Sequence, residues 1–151
     1  MVDIGSNSGR IVVVRRTPLG HLEMVEDVGA PLRLVQSVDA DGRLNDAAID
    51  HLFEVLQDFR QVATRAGATP VVALATAAMR EAANGREVAA RIERELGFEV
   101  QVITSDQEAE YGFRGAVAGL DADHGHLLDI GGGSAQVVRF RQRDLRQAWS
   151  M

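Results

Sequence analysis

The apolar positions change their period along the chain, and each change marks an element. Ile11 to Arg16 carries the β-branched density of a buried strand. Pro18-Leu19-Gly20 turns it into a further strand over His21 to Val28, giving an antiparallel meander. Gly29 to Arg43 reads as a loop containing Arg33 and the turn Asp39-Ala40-Asp41-Gly42. The period then shifts to that of a helix, with Ile49, Leu52, Phe53, Leu56, Phe59 and Ala63 on one face, Asn45 as its cap and Gly67 closing it. Val71 to Ala75, short and bounded by Pro70, predicts a buried strand parallel to the first, with the long helix as crossover. Thr76 to Asn84 is a turn or short helix, and Arg86 to Leu96 a second helix stopped by Gly97. Phe98, Val100 and Val102 alternate as one face of a strand ending near Thr104. Ser105-Asp106-Gln107-Glu108 then fits a capping box opening a third helix that ends near Leu120.

One unit of this pattern occurs twice. Asp3-Ile4-Gly5-Ser6-Asn7-Ser8 and Asp129-Ile130-Gly131-Gly132-Gly133-Ser134 each deliver an aspartate from an apolar stub into a glycine-rich turn with hydroxyls. Each then runs into a β-rich stretch, Arg10 to Arg16 or Gln136 to Arg141, and at the same offset Val12 matches Val138 and Arg15 matches Arg141. A repeated strand, turn, strand unit of this size suggests two jaws of one cleft. Glycines let the backbone approach phosphate oxygens, and Ser6, Asn7, Ser8 and Ser134 add donors. An aspartate leaving an apolar strand costs several kcal/mol unless it is paired or metal-bound, which marks Asp3 and Asp129 as metal candidates. Asp121 to Gly125 is the polar linker expected between a first unit, 1–122, and the start of a second, 123–151. Only Met1 and Val2 precede Asp3, and the second unit has about 25 residues, too few to enclose a core alone. A piece of a longer protein is expected.

Composition removes alternatives. The 16 Lys+Arg residues are all arginine, so no loop that needs a lysine on the terminal phosphates is present. A net charge of −6 opposes general nucleic-acid binding. There is no cysteine and no apolar run of membrane-spanning length, and no basic-then-apolar stretch opens the residues given, so a cytoplasmic protein without membrane or nucleic-acid partners is expected. His21, His51, His124 and His126 lack metal-ligand spacing.

DIGSNS at Asp3 to Ser8, ATAAMREAANG at Ala75 to Gly85, the stretch Val102 to Gly115 and DIGGGS at Asp129 to Ser134 together resemble the Ppx/GppA family of exopolyphosphatases and guanosine pentaphosphate phosphohydrolases, within the actin-like ATPase superfamily. The resemblance implies an α/β, ribonuclease-H-like mixed sheet with an antiparallel meander and flanking helices. It implies hydrolysis of a terminal phosphoanhydride of inorganic polyphosphate or guanosine pentaphosphate, with Mg²⁺, and leaves room for a homodimer of the full-length protein. Gly5, Ser6, Asn7, Ser8, Gly131, Gly132, Gly133 and Ser134 would bind phosphate, Asp129 with Asp3 the metal, and Arg80 the substrate phosphates. Glu108 would activate the attacking water, although from spacing alone it is a capping-box partner. Arg33 is a weaker candidate.

Two departures qualify the resemblance. Gln136, like Arg33 a weaker candidate, stands where an acidic residue is usual; a neutral amide can position a water or ligate weakly but does not neutralise Mg²⁺. Gln107 replaces a frequent acid beside Glu108. A non-catalytic phosphate- or nucleotide-binding module of the same fold is the alternative, and a kinase of the superfamily a third reading.

Overall fold

The computed structural model describes residues 1–151. Its elements are β1 (Val2–Ile4), β2 (Ser8–Arg16), β3 (Leu22–Pro31), α1 (Asp46–Arg65), β4 (Val72–Ala75), α2 (Ala77–Glu81), α3 (Gly85–Leu96), β5 (Glu99–Val102), α4 (Ser105–Ala118), β6 (His124–Ile130), β7 (Ala135–Arg141) and β8 (Asp144–Ser150). A 3-10 turn, Leu34–Ser37, lies before α1. The first five strands form one sheet in the order β3-β2-β1-β4-β5, the last three a second sheet. β1, β2 and β3 pair antiparallel, whereas β1, β4 and β5 run parallel. This is the expected mixed sheet; the meander extends further than its pattern, β3 running to Pro31.

The period of two in β1 decides what faces the core. Val2 and Ile4 are fully buried, joined by Ile11, Ala73 and Ala75 from β2 and β4, while Asp3 and Leu74 point to the opposite face. α1 closes the core side with Leu52, Leu56 and Phe59, each contributing roughly 1.5–3 kcal/mol by burial. Asn45 Oδ1 accepts from Ala48 N at 2.9 Å and caps the helix as its sequence suggests. Val88, Ile92 and Leu96 bring α3 onto the same cluster. Its stop, Gly97, has φ 69°, a left-handed value that glycine adopts without strain.

The second sheet builds its core by borrowing a helix. Ala109 and Phe113 of α4 pack on Val138 and Phe140 of β7, with the two phenyl rings 5.5 Å apart. The β7–β8 turn places Gln142 and Arg143 at φ 56° and 59°, an unfavourable region for side chains larger than glycine. Arg143 compensates, its guanidinium donating to Leu120 O and Val117 O, both at 2.6 Å, so that the turn is pinned to the C-terminal end of α4.

The sequence repeat is a structural repeat down to its register. Asp3 lies opposite Arg10 and Ile4 opposite Gly9; Asp129 lies opposite Gln136 and Ile130 opposite Ala135. Gly5 N donates to Ser8 O at 3.1 Å, and Gly131 N to Ser134 O at 2.9 Å. Even the irregularity recurs at the same offset, between Val13 and Val14 in one hairpin and between Arg139 and Phe140 in the other.

Candidate active site

The two hairpin turns meet. An ideal Cβ on Gly132 would stand 2.6 Å from Asn7 Cβ, and one on Gly133 would stand 2.4 Å from Ser6 Oγ. These two glycines are therefore what lets the second turn lie against the first. The first turn is strapped from behind. Asn7 O accepts from Leu32 N at 2.8 Å and Arg33 N at 3.0 Å, and Ser6 O accepts from Val35 N at 3.1 Å. Ser6, nearly buried, accepts from Ala78 N at 3.1 Å through its hydroxyl, tying the turn to α2.

Above this junction lies a cleft of about 330 Å³ lined by Asp3, Gly5 to Ser8, Glu108, Asp129, Gly131 to Ser134 and Gln136, with Leu74, Thr76, Ile103, Tyr111 and Gly112 completing the wall. The backbone N–H groups of Ser6, Asn7, Gly132, Gly133 and Ser134 donate to no protein acceptor. Backbone donors left unpaired at a glycine-rich turn form a concavity suited to an oxyanion.

Glu108 comes from the first turn of α4, and here the structure corrects the expected cap. The helix is capped by Thr104, not Ser105: Thr104 Oγ1 accepts from Gln107 N at 3.2 Å, while Gln107 Oε1 accepts from Thr104 N at 2.9 Å. Gln107 completes the box, so Glu108 has no capping duty and turns to the cleft. Its Oε1 accepts from Ser134 Oγ at 3.2 Å and its Oε2 from Arg80 Nη1 at 2.9 Å. Arg80 Nη1 also donates to Ile103 O at 3.2 Å. Arg80 thus lies behind Glu108 and is not part of the cleft wall. Arg33 is also outside the wall; its side chain is exposed, its φ is 54°, and its contact with the site is through backbone.

Three carboxylates share the cleft. Asp3 is raised above its ordinary pKa of 3.8, first by desolvation between the cleft walls, then by the negative charges of Glu108 and Asp129; Arg10 opposes the rise. Solvent still reaches Asp3, so the desolvation is that of a side chain against a cleft wall and not of full enclosure. No three acidic or histidine side chains converge into a cage for a cation. The donor set nevertheless fits Mg²⁺, which is held by one or two carboxylates together with water and phosphate oxygens. Asp3 and Asp129, at equivalent places in the repeat, are the residues that would hold it.

Sequence reasoning missed several wall residues. Tyr111 and Gly112 lie one turn after Glu108 on α4, and that helical spacing was the available signal. An ideal Cβ on Gly112 would stand 3.1 Å from Asp129 Oδ2, so glycine makes room for that carboxylate. Asn84 was also passed over. It is nearly buried, with Oδ1 accepting from Leu44 N and Nδ2 donating to Leu44 O, both at 2.9 Å, and it anchors the segment behind α2.

Exopolyphosphatase 1 of Mycobacterium tuberculosis is 31% identical over 139 residues, covering 91% of this chain and 40% of that protein. A guanosine-5'-triphosphate,3'-diphosphate pyrophosphatase of Aeromonas hydrophila is 32% identical over 139 residues, covering 91% of this chain and 28% of the relative. The chain therefore spans 40% or less of the length of these curated relatives. The crystal structure of the Aquifex aeolicus member of the Ppx/GppA protein family superposes with a TM-score of 0.84 at 30% identity, covering 99% of this chain and 49% of that one. The fold is accordingly the ribonuclease-H-like one of the actin-like ATPases. No helix is long and apolar enough to cross a membrane. With the Ppx/GppA phosphatase family matching residues 12–151, which leaves β1, the first turn and the start of β2 outside the match, the chain belongs to that family.

Proposed function

We propose that this chain carries the phosphate-gripping cleft of a phosphohydrolase that removes the terminal phosphate of inorganic polyphosphate or of guanosine pentaphosphate. One observation carries the reading: two hairpins of matching register meet at Gly132 and Gly133, present five unpaired N–H donors, and have Glu108 beside them. The relatives' names, exopolyphosphatase and guanosine-5'-triphosphate,3'-diphosphate pyrophosphatase, support the substrate class.

The N–H groups of both turns, that of Ser134 included, bind the oxygens of the terminal phosphate with the hydroxyl of Ser8 and orient it between the jaws. Asp3 and Asp129 hold Mg²⁺, which when bound supplies charge neutralisation for the phosphates. Glu108 accepts the proton of the attacking water as its oxygen bonds to phosphorus. The bridging P–O bond breaks, and the bridging oxygen leaves on the shortened chain. Phosphoryl transfer depends mainly on positioning and charge neutralisation, which this wall is built to provide.

Phosphate release from polyphosphate in Mg²⁺ tests the reading, with the Glu108→Gln variant in parallel. Turnover in the parent chain that falls by 10² or more in the variant supports it. Polyphosphate binding without turnover in either protein overturns it in favour of a binding module.

A further inference from the structure

Gln136 is almost fully enclosed, at 2% exposure, yet it lines the cleft opposite Asp129 in the β6–β7 register. Its Nε2 donates to Ser134 Oγ at 3.0 Å, and Ser134 Oγ is in turn 3.2 Å from Glu108 Oε1. The direction of this chain follows from donor inventory. An ionised carboxylate only accepts, and a serine hydroxyl has one proton. Ser134 must spend that proton on Glu108, so whatever stands on its other side must donate. An amide satisfies this requirement and a carboxylate does not.

Resting on the phosphohydrolase reading above, we infer that Gln136 is a positioning residue for the water-activating glutamate: it fixes the Ser134 hydroxyl as a donor to Glu108, while Arg80 holds the other carboxylate oxygen. The two anchors come from different halves of the molecule. Arg80 is on α2, beside the first sheet, and Ser134 belongs to the second hairpin. Glu108 is held on both oxygens only when the second hairpin is seated against the first, so the base is assembled by the same junction that forms the anion site. A glutamate at 136 would leave one hydroxyl proton between two carboxylates, with a second negative charge two hydrogen bonds from the base. With Glu108 ionised, the hydrogen bonds of this chain thus take a donor at position 136, which glutamine supplies.

Steady-state kinetics on polyphosphate in saturating Mg²⁺ test the inference with two substitutions. Gln136→Met keeps length and removes the donor; kcat should fall about 5- to 10-fold, the worth of one ordinary hydrogen bond, with KM unchanged within twofold. Gln136→Glu should lower kcat further, by about 10²-fold, again with little change in KM. A Glu variant that keeps or raises kcat and needs less Mg²⁺, or a Met variant whose defect is confined to KM, would place Gln136 in metal or phosphate binding and overturn the proposal. A measurement without turnover separates its fate from that of the hydrolase reading. The Gln136 side-chain amide resonance, identified by its loss in Gln136→Met, should shift in Glu108→Gln and lose that response once Ser134→Ala is added. An unchanged resonance in Glu108→Gln refutes the relay even if the enzyme is active. A parent chain that releases no phosphate defeats the hydrolase reading, and the resonance then judges the relay alone.

Discussion

Gly133→Ala tests the contact on which the site depends. A methyl group at 133 would lie 2.4 Å from Ser6 Oγ and 2.8 Å from Ser6 Cβ, where ordinary contact begins near 3.4 Å. Relief requires a displacement of about 1 Å, the difference between 3.4 and 2.4 Å. Ser6 cannot easily provide it, being nearly buried and bonded through its hydroxyl to Ala78 N at 3.1 Å. The second turn must retreat instead, carrying Ser134 and the N–H groups of Gly132 and Gly133 away from those of Ser6 and Asn7. A 1 Å misplacement of binding groups costs on the order of 10² in rate. We expect kcat/KM for phosphate release from polyphosphate to fall about that much and polyphosphate affinity, measured by calorimetry, to weaken in parallel. The melting temperature should fall only modestly, because Gly133 belongs to neither hydrophobic cluster. Gly115→Ala is the matched control. Its Cβ meets nothing within 4 Å on α4, and replacing a mid-helix glycine should stabilise by roughly 0.5–1 kcal/mol with unaltered kinetics. Gly133→Ala retaining binding and turnover within about threefold would refute the idea that the turns act as one site.

Asn84→Ala removes both partners of Leu44's backbone N–H and C=O; with two enclosed groups left unpaired it should cost about 2–5 kcal/mol in urea denaturation while leaving KM intact. Gly85→Ala would set a methyl 1.8 Å from Met79 O and should destabilise by more than about 3 kcal/mol, read as a large drop in melting temperature or loss of soluble protein. Asp3→Asn should stabilise at neutral pH. Because the folded pKa of Asp3 lies above its unfolded value of 3.8, the ionised side chain opposes folding at pH 7, and that penalty fades as pH falls through the raised value toward 3.8. Denaturation at pH 7 and near pH 4 checks the sign: the gain of Asp3→Asn over the parent should shrink in acid, and activity with Mg²⁺ should fall although stability rises.

The parts legible in sequence were those set by local chemistry. α1 was readable because Leu52, Leu56 and Phe59 recur at helical spacing and Asn45 caps them; the paired turns were readable because they repeat. The cap of α4 was misplaced by one residue since Thr104 and Ser105 both offer a hydroxyl, and Gln107 and Glu108 both offer an oxygen three residues later. Only the extended backbone of Thr104, φ −74° and ψ 163°, decides between the frames. That one-residue shift separates a structural glutamate from a functional one. Arg80 was legible as a site residue but not as the partner of Glu108, 28 positions on, because their meeting depends on β4 and β5, the strands that precede α2 and α4, lying side by side in the first sheet. Gln136 was read as a deficit in metal binding. Its donor role appears only when Ser134 and Glu108 are seen on either side of one hydroxyl.

The two hairpins also show which level of structure shapes the turn. Val2 and Ile4 are fully buried beneath α1, whereas their counterparts Leu128 and Ile130 are 60% and 73% exposed. The two turns close in the same way although the strands that carry them differ in this respect. What they share is the strand register, the closing bond from glycine N–H to serine carbonyl, and the absence of side chains where backbone must come close. The geometry of each turn is accordingly encoded within about ten residues. Glu108 is different. Its carboxylate is set by residues at positions 80 and 134, so misplacing either sheet relative to the other leaves two intact turns and no aimed base. Substitutions that loosen Glu108 without parting the two turns should thus lower turnover more than polyphosphate binding.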